Sequence, residues 1–152
     1  MNYEIVTLEE KTVVGIGART NNCSPDMGMV IGGLWNRFYS EGIYGAIPNK
    51  ANEKALGIYT DYEEDENGDY TVMVAYEVTE AVTKTDKLEV RTIPSGKYAK
   101  FVVEGYMQEV VASFWQELWQ MELPRSYVCD FEEYQNGDME HAEIHIYISL
   151  RE

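Results

Sequence analysis

Basic residues are scarce in this chain. Its 152 residues include 12 Lys and Arg against 27 Asp and Glu, a formal net charge of −15. A nucleic-acid surface needs clustered Lys and Arg to meet phosphates, so no direct nucleic-acid contact is expected. The same deficit argues against docking on anionic membranes. The summed field favours cationic over anionic ligands, although many ordinary soluble proteins are acidic too. Long apolar runs are also missing: no stretch approaches the ~18 residues of a membrane span. The opening Met-Asn-Tyr-Glu-Ile has neither a basic region nor an apolar signal core, so a cytoplasmic location with no membrane association is expected.

Cysteine and histidine are equally sparse. Cys23 and Cys129 make neither a disulfide framework nor a zinc site, and read as free thiols or as a single bridge. His141 and His145 are four apart, which on a strand separates them by ~13 Å, so no metal site is expected. No Ser-His-Asp arrangement or glycine-rich phosphate loop is readable, and Ser95-Gly96-Lys97 reads as a hairpin turn. No cofactor is expected.

What the chain does have is 45% hydrophobic residues, enough for a sizeable core, and a repeated order of elements. In the first half a β-branched segment over 12–18 predicts a strand. Val30, Ile31, Leu34, Trp35 and Phe38 then recur at helical spacing, with a start signal at Ser24-Pro25-Asp26 and a stop at Gly42. Strands are predicted over 56–62 and 70–78, with Asn67-Gly68 as a hairpin turn between them. The second half repeats this. Strands at 88–92 and 97–103 flank Ile93-Pro94-Ser95-Gly96, and a helix carries Val110, Val111, Phe114, Trp115 and Leu118. After Leu123-Pro124 come strands at 127–134 and 142–150 around Asn136-Gly137.

The expected fold class is therefore α+β: one domain over 1–152 with halves of about 1–80 and 85–152 joined by the polar stretch 79–87. Each half is β-β-α-β-β, or β-α-β-β if its short first strand is discounted. The halves should form antiparallel sheet with helices on one side and the other side free for a ligand groove. Trp35, Phe38, Phe114 and Leu118 are expected in the core, while Trp115 and Trp119, at neighbouring helix positions, are left unassigned.

The last strand supplies the site candidate. Read with a period of two, Ala142, Ile144, Ile146, Ile148 and Leu150 face the helices, while Glu143, His145, Tyr147 and Ser149 face away. The plain alternative is a half-exposed strand with polar residues in water. A carboxylate beside aromatic rings is the recipe for holding an organic cation, through charge and cation–π attraction. The chain's twelve Tyr offer walls, with Tyr59, Tyr76, Tyr98, Tyr127 and Tyr147 as candidates; the pattern leaves open which of them face the groove.

Several segments together resemble the GyrI-like, or AraC-type, effector-binding domain family. They include Val13-Val14-Gly15-Ile16, Ile31-Gly32-Gly33-Leu34-Trp35, Gly57-Ile58-Tyr59, Tyr70-Thr71-Val72-Met73-Val74, Ile93-Pro94-Ser95-Gly96-Lys97-Tyr98-Ala99, Phe114-Trp115 through Leu123-Pro124, Asp130-Phe131-Glu132-Glu133-Tyr134 and Ala142-Glu143-Ile144-His145-Ile146. They follow the family's order over nearly the whole chain. The resemblance implies a pseudo-twofold pair of β-α-β-β units and one acidic residue in an aromatic pocket for lipophilic cations. The family's pattern Glu-aliphatic-x-Ile-Pro-Ile matches at Glu143, with Tyr147 in place of the proline. Glu132 falls on another commonly acidic position, read as structural.

The function expected is binding of a small hydrophobic cation, for sensing or sequestration, with a link to multidrug binding and transcription regulation implied by the resemblance. Two alternatives stand beside it. One is a pocket hydrolase with Glu143 as general base on water. The other is an acidic protein-interaction module of gyrase-inhibitor type, with a protein partner. No DNA-binding segment is read beside the family-like stretch.

Overall fold

The computed structural model describes residues 2–21, 25, 27–63, 68–80 and 88–151. In chain order they form β1 (Glu4–Leu8), β2 (Lys11–Thr20), α1 (Met27–Ser40), a single turn α2 (Ile43–Ala46), β3 (Leu56–Thr60), β4 (Tyr70–Glu77), β5 (Glu89–Ile93), β6 (Gly96–Gly105), α3 (Met107–Leu118), β7 (Cys129–Tyr134) and β8 (Ala142–Ser149). The expected helix start at Ser24 and Asp26, the turn residue Asn67, Cys23, and 81–87 of the expected connector lie outside the described residues.

The strands make one antiparallel sheet in the order β1-β6-β8-β7-β3-β4-β2-β5. Read from either end, this order is the same once β1 is matched with β5, β2 with β6, β3 with β7 and β4 with β8. The two halves are thus related by a pseudo-twofold axis between β3 and β7, where Ile58 pairs with Phe131. Each half gives its first strand to the other: β1 pairs with β6, and β5 with β2.

That exchange bends the sheet. Residues 9–10 are all that join β1, at one end of the sheet, to β2, next to the other end; residues 94–95 are all that join β5 to β6. Two-residue links span only ~7 Å, so the ends must approach and the sheet curls. Its inner face closes over Val13, Ile58, Met73, Ile93, Tyr98 and Phe131, with Val6 and Leu8 of β1 packed against them. The face away from the helices is therefore core along its middle, where the sequence expectation left room for a groove.

The helices cover the other face, each over its own half. In α1, Leu34 and Phe38 are buried one turn apart over Val14, Ile16, Val72 and Val74. In α3, Phe114 and Leu118 do the same over Phe101, Ile144 and Ile146. Each such side chain contributes roughly 1.5–3 kcal/mol of burial. Gly42, in the left-handed region at φ 73, turns the chain out of α1 as expected. Trp35 is half-buried rather than core. Since α1 packs on β2 and β4, and α3 on β6, the central strands β3 and β7 lie between the helices. Among the described residues no helix is long and apolar enough to cross a membrane.

Candidate functional site

The gap between the helices is a cavity of about 300 Å³. Ile31 of α1 forms one side; Val111, Ala112, Trp115 and Gln116 of α3, with Trp119 beyond it, form the other. The sheet contributes Tyr59 and Tyr70, and Tyr62 and Arg125 close one end. The lining is mostly apolar and aromatic, as small-molecule sites are, and the volume lies at the low end of their usual range. Larger concavities exist elsewhere, such as the groove of about 410 Å³ lined by Glu104, Glu109 and Glu117, but that is open surface between α3 and β6.

Beneath the cavity, β7 places acids at alternate positions. Cys129 and Phe131 point to the curled inner core, so Asp130, Glu132 and Tyr134 point to the helix side. Both acids are buried, Asp130 at 0% exposure and Glu132 at 2%, and ~7 Å separates such positions along a strand. Their surroundings differ in one respect that decides their chemistry.

Asp130 has a countercharge. Arg125 Nη2 donates to its Oδ2 at 2.8 Å, as does the Tyr62 hydroxyl at 2.7 Å. Its Oδ1 accepts from the backbone N–H of Ser149 at 2.9 Å and from the Ser149 hydroxyl at 3.1 Å. Burial works against the Arg125 charge, but Asp130 outweighs it and holds the guanidinium pKa above its ordinary value.

Among the described residues, the donors to Glu132 are all neutral. Trp115 Nε1 donates to Oε2 at 2.7 Å, the Tyr59 hydroxyl to Oε2 at 3.1 Å and the Tyr134 hydroxyl to Oε1 at 2.7 Å. Burial raises the Glu132 pKa from its ordinary value, against the pull of these three hydrogen bonds. Burial, with the carboxylate next to them, also raises the phenol pKa values of Tyr59 and Tyr134, so both stay protonated donors. On β3 the cross-strand partner of Glu132 is Gly57. A Cβ there would stand 3.0 Å from Glu132 Oε1 and 3.4 Å from Trp35 Cζ2, so a larger residue would press on the carboxylate. Trp35 also packs edge-on against Tyr134, at 5.2 Å between centroids. Tyr59 and Trp115 thus both line the cavity and hold the carboxylate just behind its wall.

The residues singled out in the sequence are dispersed. Tyr59 lines this cavity. Tyr127 lies beneath the Arg125 guanidinium, 4.4 Å from ring centroid to Cζ, and edge-on to Tyr62. Tyr76 is buried under α1, stacked on Phe38. Tyr98 and Tyr147 lie in the inner core, each packed on Phe131, and the Tyr98 hydroxyl donates to the Pro94 carbonyl. Glu143 and His145 face away from the helices, as their alternation with Ile144 and Ile146 requires, so the structure does not bring them to this cavity. They bond each other, His145 Nε2 to Glu143 Oε2 at 2.8 Å, with the Glu143 side chain 45% exposed. Sequence reading missed Glu132, Trp115 and Arg125 as site residues. The signal it could have used is the pair of acids alternating with Cys129 and Phe131 on a strand between two Trp-bearing helices.

Residues 4–150 match the family model Cass2, described as integron-associated effector binding protein. A Bacillus subtilis protein, YobU, described as a candidate transcriptional regulator, is 26% identical over 99% of both chains. The integron cassette protein of Vibrio cholerae superposes with a TM-score of 0.80 at 28% identity, over 98% of this chain and 95% of that one. The protein SAV2435, solved bound to tetraphenylphosphonium, gives a TM-score of 0.80 at 25% identity, over 99% of this chain and 94% of that one.

Proposed function

The chain belongs to the Cass2 family of integron-associated effector binding proteins, and from that premise we propose that it binds a lipophilic organic cation in the cavity between α1 and α3. One observation carries the reading: of two buried acids on one strand, Asp130 is neutralised by Arg125, while the donors that hold Glu132 among the described residues are all neutral. A cation entering an aromatic cavity completes the second acid as Arg125 completes the first. The rings of Tyr59, Tyr62, Tyr70, Trp115 and Trp119 offer cation–π attraction of ~0.5–2 kcal/mol each where they present a face. A relative of the same fold, solved with tetraphenylphosphonium, supports the ligand class.

The biological role that fits is effector sensing or sequestration, and the description of YobU supports a link to transcription. The hydrolase alternative would place Glu143 and His145 at work on the face of the sheet turned from the helices, away from this cavity. The test is calorimetric titration with tetraphenylphosphonium and with tetraphenylborate, an anion carrying the same four phenyl groups. The proposal expects the cation to bind at least tenfold more tightly. Equal affinities, or no binding of the cation, would refute it.

A further inference from the structure

We infer that Trp119 is the residue that selects for an aryl group on the ligand, its indole packing across the outer end of the cavity on a flat ring attached to the cationic centre. This rests on the cation reading above and adds a second feature that the ligand must carry. Trp119 lines the cavity, yet it is 49% exposed. It follows the last residue of α3 and keeps the helical register, its backbone N–H donating to the Trp115 carbonyl at 3.1 Å. It therefore stands one turn, ~6 Å along the axis, beyond the indole that bonds Glu132. Among the described residues its ring has no aromatic neighbour and its indole N–H has no acceptor.

The first half of the fold shows that the position itself does not require this. Laying the buried pair Leu34 and Phe38 of α1 on Phe114 and Leu118 of α3 places Ile31 on Val111, Trp35 on Trp115 and Tyr39 on Trp119. Tyr39 is exposed on one side too, but its ring meets those of Phe38 at 5.2 Å and Tyr44 at 6.1 Å. Tyr44 belongs to the turn α2, and among the described residues no helix takes that place after α3. The mate of Trp119 is thus engaged within the fold, while Trp119 stands at the cavity with its ring free to pack. A half-exposed indole leaves a large apolar surface in water; a ligand ring laid against it removes that surface and adds offset or edge-to-face stacking. The rings of an onium ion are electron-poor, which suits the electron-rich face of an indole. Glu132 draws the charge to the inner end of the cavity and Trp119 takes a ring ~6 Å further out, about the length of one phenyl group. The ligand that fits both is an aryl-substituted onium ion rather than an alkyl one.

The test compares tetraphenylphosphonium with tetrabutylphosphonium, an ion of the same charge and four-armed shape that has no ring. In Trp119→Leu, which keeps an apolar side chain at the mouth, tetraphenylphosphonium should lose about fivefold or more in affinity by calorimetry, and tetrabutylphosphonium less than about twofold. Trp119→Phe, which restores a ring, should recover most of the loss. In wild-type protein, NMR should show Overhauser contacts between the phenyl protons of the ligand and the Trp119 ring protons, a readout that needs no variant to fold. Unchanged tetraphenylphosphonium affinity in Trp119→Leu, an equal loss for both ions, or no contact between the bound ligand and the Trp119 ring would overturn the inference while leaving the cation reading intact. Failure of tetraphenylphosphonium to bind wild-type protein would overturn both.

Discussion

Trp115 and Glu132 are joined by a hydrogen bond of 2.7 Å from indole Nε1 to carboxylate Oε2, which ties α3 to the central strand β7. The donor favours the ionised acid. Trp115→Phe keeps a ring at the wall and removes the donor, so the Glu132 pKa should rise further. Cation affinity followed against pH should then begin to fall at a higher pH than in wild type. An unmoved pH profile would separate the indole from the carboxylate.

The raised Glu132 pKa has a consequence for stability. Its folded value lies above the unfolded reference of ~4.3. The cost of burying the charge is absent below ~4.3 and fully present above the folded pKa. Glu132→Gln removes the titration, so the stability of the variant relative to wild type should increase from pH 4 to pH 8. Urea denaturation of both proteins across that range checks it; a constant difference would mean that Glu132 is not perturbed.

Gly57→Ala places a methyl 3.0 Å from Glu132 Oε1 and 3.4 Å from Trp35 Cζ2. The carboxylate cannot yield freely, being held by Tyr59, Trp115 and Tyr134. The variant should lose ~1–3 kcal/mol of stability, as overpacked sites do, and bind tetraphenylphosphonium more weakly. Thermal denaturation with calorimetry would read both.

Phe114 is 1% exposed, with its ring 5.0 Å from that of Phe101. Phe114→Ala should cost ~3–5 kcal/mol through the cavity it leaves. An unchanged denaturation midpoint would show that this face of α3 does not hold the core.

Much of this fold was legible from periodicity. The apolar spacing in α1 and α3 picked out Phe38, Phe114 and Leu118, all buried, and the alternation over 142–150 marked the residues that pack under α3. The strand β1 was not given residues, because it lies at a sheet edge with most of its residues exposed, and the adjacent Ile5 and Val6 break the two-residue alternation. The exchange of β1 and β5 between halves was not legible either, since alternation gives the faces of a strand but not its neighbours. That gap decided where the site was sought. With the curl unknown, the side away from the helices read as an open groove, and the acid placed there was Glu143. The structure fills the middle of that side with Tyr98, Phe131 and Tyr147 and puts the cavity beneath the helices. There Glu132 on β7, read from the sequence as structural, is buried against the cavity wall.

The account turns on which carboxylate faces the cation, and calorimetry of tetraphenylphosphonium with wild-type protein, Glu132→Gln and Glu143→Gln at pH 8 tests this directly. Glu132→Gln preserves shape and removes the uncompensated charge, so affinity should fall by about tenfold or more, a loss of ~1.4 kcal/mol or greater. Glu143→Gln changes a half-exposed residue on the other face of the sheet and should bind as wild type does. Unchanged affinity in Glu132→Gln, or a loss in Glu143→Gln instead, would contradict the account.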